Sequence, residues 1–131
     1  MTKEISDVLD SELNFKGKWN IKICLYALPG FDNGDCHNDN GEFTMSVKKL
    51  GNNEFTGTIK DKYGLSHVLG DLKDNKIKFT KTYSPEAIEK GAATLPIIYE
   101  GVLTDDGKYR GKLHFKDLEF EKFPFELEQI K

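Results

Sequence analysis

With 131 residues, 37% hydrophobic and 31% charged, the chain has the make-up of one globular domain able to hold a core without disulfide staples. Its 22 acidic and 19 basic residues are interleaved and leave a net charge of −3, which excludes the basic stripe that nucleic acid requires. No run of about 20 apolar residues offers a membrane span. The first seven residues lack the apolar centre of a leader peptide, so a cytoplasmic location is expected.

In chain order, residues 2–14 predict a short N-terminal helix. Ile5, Val8, Leu9 and Leu13 fall on one face, Thr2 can cap the first turn, and Glu4 suits the helix dipole. Such a stripe must dock on something, either on the end of a sheet or on a second copy, so a monomer or weak homodimer is expected. Gly17 to Leu28 predicts the first strand, with Trp19, Ile21, Ile23 and Leu25 alternating with polar residues and Cys24. Residues 30–41 are rich in Asp, Asn and Gly and predict a loop. A calcium loop needs a glycine at its sixth position, and Gly41 arrives one residue late counting from Asp35, so no metal is expected. Cys36 falls in this loop. A bridge to Cys24 is within reach, but two free thiols are expected in a reducing compartment, and no Cys-x-x-Cys spacing points to zinc.

A meander follows. Phe43–Val47, Phe55–Ile59, Ser66–Leu72 and Lys76–Tyr83 predict strands two to five. They are separated by turns at Gly51-Asn52-Asn53, Asp61-Lys62-Tyr63-Gly64 and Asp74-Asn75. Residues 84–94 interrupt the pattern as a helical turn or a long loop. Leu95–Leu103, Lys108–Phe115 and Glu119–Glu128 complete the set, and Pro124, which lacks a ladder donor, marks an edge, a bulge or a closure point. Within the strands a bulky residue repeatedly stands two before a glycine: Phe55/Gly57, Val68/Gly70, Tyr99/Gly101 and Tyr109/Gly111. The first and third residues of such a triplet share a face, and a bare glycine lets the sheet coil sharply. The predicted fold is all-β: one domain over residues 1–131, with a short N-terminal helix (2–14) and an eight-stranded antiparallel up-and-down barrel (16–128).

The segment Phe15-Lys16-Gly17-Lys18-Trp19 resembles the opening of calycin-type barrels, the lipocalins, fatty-acid-binding proteins and avidins. The resemblance implies a meander barrel whose tryptophan plugs one end and whose interior holds a small molecule. It does not extend to their ligand sets. Trp19 is the sole tryptophan, Arg110 the sole arginine, and residues 30–41 do not read as a helix pair.

Four side chains are candidates for lining the lumen. Lys81 and Tyr83 continue the inward face of Ile77 and Phe79, while Tyr99 and Tyr109 share faces with Gly101 and Gly111. Lys81 reads either as an anchor for an anionic head group or as a side chain that snorkels to water at a strand end. The tyrosines orient a ligand or simply pack over glycine. His37, His67 and His114 lie in separate elements and are expected to be solvated. No catalytic constellation stands out and no cofactor is expected. The expected function is therefore non-enzymatic binding of a small apolar or amphipathic molecule. The alternative is a protein-interaction module with a filled barrel. Cavity size separates them, since ligand sites hold roughly 300–1,000 Å³.

Overall fold

A computed structural model describes residues 12–25, 35–119 and 121–130. Eight strands form a closed antiparallel barrel, each paired with its sequence neighbour and the last with the first. They are β1 (Glu12–Leu25), β2 (Asp35–Lys49), β3 (Glu54–Asp61), β4 (Gly64–Lys73), β5 (Lys76–Tyr83), β6 (Ile97–Leu103), β7 (Lys108–Phe115) and β8 (Phe123–Ile130). The predicted meander is present. Among the described residues the one helix is α1 (Pro85–Glu89), in the β5–β6 connection.

Alternation builds the core. Phe15, Met45, Phe55, Ile59, Val68, Ile77, Phe79, Tyr99, Leu113 and Leu127 come from all eight strands and are at most 2% exposed. Tight turns join β2–β3, β4–β5 and β6–β7 at what we call the lower end. The positive φ of Asn52, Asn53, Asp74, Asn75 and Gly107 lets those turns close without splaying the strands. The upper end carries the β3–β4 turn and the longer β5–β6 and β7–β8 connections. There α1 packs over β4. Ser84 caps it, its Oγ accepting from the Ala87 N–H at 3.2 Å, and Ala87 and Ala92 are buried.

The glycines sit inside strands, as the triplets predict. Gly101 and Gly111 face each other across β6 and β7, and a Cβ on Gly111 would collide with the Glu100 carbonyl. β1 and β2 carry a second device. Gly17 pairs with Phe43 and Trp19 with Gly41, so each ring lies on the bare backbone of the opposite strand. The rings also stack on each other, with centroids 5.9 Å apart.

Several boundaries differ from expectation. Residues 2–11 of the expected helix lie outside the described residues, and 12–14 are strand. Leu13 is in phase with Phe15 and Trp19 and pairs with Val47, so the ladder to β2 satisfies its backbone at once. β1 therefore starts at Glu12, not Gly17, and Trp19 lies midway along it. β2 starts at Asp35 and takes in much of the expected loop. Asn38 and Asn40 face outward and are exposed, and Asp39 faces inward where partners await it. β6 begins after Pro96, which cannot donate to a ladder, and β8 begins at Phe123. Pro124 marks the closure point: the β8–β1 ladder runs from Ile130 only as far as Phe125.

Candidate functional site

The site grows from three strand ends. In β3 the inward series Phe55, Gly57, Ile59 continues to Asp61, and in β5 the series Ile77, Phe79 continues to Lys81 and Tyr83. β4 lies between them. It presents Ser66 opposite Tyr83, a small side chain, 2% exposed, that hydrogen-bonds the Ile59 carbonyl. Over this gap Lys81 and Tyr83 reach Asp61. The Lys81 ammonium donates to Asp61 Oδ2 at 2.6 Å and to the Tyr83 hydroxyl at 2.8 Å, and that hydroxyl donates to the same Oδ2 at 2.7 Å. The side chains of Lys81 and Asp61 are 1% and 0% exposed.

An unpaired charge buried this deeply would cost several kcal/mol, and here the triad neutralises it. Aromatic faces complete the enclosure: Lys81 Nζ lies 4.4 Å from the Tyr83 ring centroid, 4.7 Å from Trp19 and 5.8 Å from Phe43. Burial lowers the Lys81 pKa from its ordinary value, with Asp61 opposing the shift. Burial, reinforced by the bond to Asp61, pushes Tyr83 far above the usual tyrosine range and keeps it a phenol.

A second polar group stands closer to the rim. Asp39 Oδ2 accepts from the Tyr63 hydroxyl at 3.0 Å and from Trp19 Nε1 at 3.4 Å, and its other oxygen pairs with Lys62. Burial, reinforced by the hydrogen bond that Tyr63 donates to Asp39, raises the Tyr63 pKa, and the hydrogen bond to Asp39 raises that of Lys62. Each carboxylate thus has its own ammonium.

Between the two groups lies a cavity of about 190 Å³. Trp19, Tyr63, Tyr83, Tyr99 and Phe115 supply aromatic wall, Ile21 and Ile97 supply aliphatic wall, and Lys81 and Asp39 supply polar atoms. Gly91 and Ala93, from the segment after α1, line it too. Below it the barrel is blocked by rings: Tyr99 stacks on Phe79 at 4.6 Å and meets Phe125 edge-on at 5.0 Å. Two larger hollows lie along β1, β2, β7 and β8: one of about 590 Å³ lined mainly by charged side chains, and one of about 940 Å³ that also reaches Trp19, Phe125, Pro124 and the bare backbones of Gly41 and Gly111.

Three of the four predicted lumen residues, Lys81, Tyr83 and Tyr99, therefore meet at one cavity. Tyr109 does not. It pairs with Leu103 and Leu127 near the lower end, on the far side of the aromatic stack. Lys81 neither snorkels to water nor presents a free ammonium to an anion, because Asp61 already holds it. Asp61, Asp39 and Tyr63 belong to the site although their segments predict turn and loop; the period-two phase of β3 continuing through Ile59 is the signal that finds Asp61. Trp19 is buried as expected, at 4% exposure, but it walls a cavity instead of sealing an end. His67 is exposed and contacts Thr56, whereas His114 is buried, contrary to expectation. Among the described residues no cluster of His, Cys, Asp or Glu could hold a metal ion, and no helix is long and apolar enough to cross a membrane.

These features define a closed eight-stranded meander barrel, compatible with the calycin resemblance, with a small polar-rimmed cavity at its upper end. No protein-family model matches the chain, and no curated protein matches it.

Proposed function

We propose that this protein is a non-enzymatic binder of a small, uncharged, partly apolar molecule held in the upper-end cavity. What supports the reading is the cavity itself, an aromatic chamber with polar tips in a barrel otherwise filled by its own side chains. At about 190 Å³ it equals roughly six waters at ~30 Å³ each. That is below the ~300–1,000 Å³ of sites for drug-sized ligands, so a fatty acid does not fit. Both carboxylates are already matched by lysines, which disfavours a charged ligand.

Trp19, the sole tryptophan, lines the cavity and reports on it. A fragment library read by Trp19 emission should give hits among small aromatic and cyclic neutral compounds. Ala93→Phe, which fills the chamber from its wall, should remove them. The competing reading, a surface-acting module, is favoured by the packed barrel and the outer hollows. It takes over if no fragment perturbs Trp19, or if hits survive in Ala93→Phe.

A further inference from the structure

Lys81 is the one lysine among the described residues whose side chain is buried, and it lines the cavity. Asp61 does not line the cavity but stands against the ammonium at 2.6 Å, and the Tyr83 hydroxyl lies 2.8 Å away on the cavity side. A primary amine facing a small apolar chamber, with a proton acceptor behind it and a phenol beside it, is the arrangement from which carbonyl compounds are captured. We propose that Lys81 is a covalent attachment point for a small aldehyde or ketone. This deepens the binding reading above and rests on the cavity admitting a ligand.

The step balances within the triad. Lys81 passes one proton to Asp61, and its free nitrogen adds to the carbonyl carbon, breaking the C=O π bond. The Tyr83 hydroxyl donates to the developing alkoxide and regains its proton from Asp61. The resulting carbinolamine loses its hydroxyl, with a proton from its own nitrogen, as water, leaving a C=N bond. The nitrogen keeps its third proton and the positive charge it gained on addition, so the net change is ammonium plus carbonyl giving iminium plus water, with no oxidant or reductant. The iminium keeps the positive charge of the original ammonium, so Asp61 and the faces of Trp19, Phe43 and Tyr83 stabilise it as they stabilise Lys81 now. Burial lowers the Lys81 pKa, which increases the share of free amine near neutrality.

The test incubates the full chain at neutral pH with benzaldehyde and cyanoborohydride and maps the reduced adducts by peptide mass spectrometry. Benzyl alcohol serves as the non-carbonyl counterpart. Lys81 should be labelled about tenfold or more faster than any other lysine, the advantage of a held reactant. Excess benzyl alcohol should slow that labelling, and Lys81→Arg, which keeps a cation for Asp61, should abolish it. Labelling confined to surface lysines while benzyl alcohol still perturbs Trp19 emission would overturn the carbonyl proposal and leave the binding reading standing. Failure of both compounds to perturb Trp19, with no Lys81 adduct, would overturn both. A Lys81 adduct indifferent to benzyl alcohol would also count against it, since the chemistry would then bypass the cavity.

Discussion

The lower and upper halves of the barrel obey the same alternation and reach opposite solutions. In the lower half the inward positions include Phe15, Met45, Val47, Phe55, Ile77 and Leu127, all buried, and tight turns join the strands. Shape complementarity among apolar side chains holds it, and its stability scales with the contacts removed. In the upper half the same inward phase delivers Asp39, Asp61, Lys81 and Tyr83 into the interior. There stability depends on matching: every charge has a partner, and the loss of one leaves another stranded. The lower half thus resists substitution in proportion to volume, the upper half in proportion to imbalance.

The sharpest way to break this contrast is to unbalance the triad. Asp61→Ala should cost ~3–5 kcal/mol by leaving the Lys81 charge buried and unpaired. Combining Asp61→Leu with Lys81→Met should recover most of that loss, because an apolar pair of similar size needs no partner. Urea denaturation of single and double variants checks this, and an additive double variant would mean the pair is not coupled. In the lower half, Met45→Ala should cost ~2–5 kcal/mol with no single compensating change nearby, as expected for a cavity in a packed region. Gly111→Ala should cost ~1–3 kcal/mol, since the new methyl meets the Glu100 carbonyl across the ladder; thermal melts measure it.

The smallest effect is a pH dependence. The pKa values of Tyr63, Tyr83 and Tyr99 are raised by burial, so above their ordinary value of 10.0 the unfolded chain releases protons that the fold retains. Stability should therefore fall as pH rises past 10. Lys81 acts oppositely: its lowered pKa makes stability rise with pH between that value and 10.5. Tyr83→Phe should make the alkaline fall shallower, read from urea midpoints across the range.

The sequence made the barrel legible because barrel formation is written locally, in period-two alternation, glycines two residues from a bulky partner, and turn residues such as Asp74-Asn75. Lys81, Tyr83 and Tyr99 were legible as inward positions for the same reason. Asp61 was not. It meets Lys81 across β4, between strands that share no ladder, where β4 presents the small, buried Ser66. Asp39 was hidden by composition, since a stretch of Asp and Asn reads as loop until a long partner strand pairs with it. The misplacement of Tyr109 has a related cause. Phase fixes which face a residue occupies, but its height along the barrel depends on the stagger between strands.

The crossed pairs of Gly17 with Phe43 and Trp19 with Gly41 bear on folding fidelity. β1 and β2 pair over fourteen consecutive positions, and a slip of two residues would leave every side chain on its proper face. Hydrophobic patterning alone cannot reject that error. The rings can. Sliding one way sets Trp19 directly opposite Phe43, and sliding the other way sets Gly17 opposite Gly41, so each misregistered hairpin strips both rings of the bare backbone they rest on. Two notches and two teeth, cut in opposite order on the two strands, select one alignment from a series that polarity leaves degenerate.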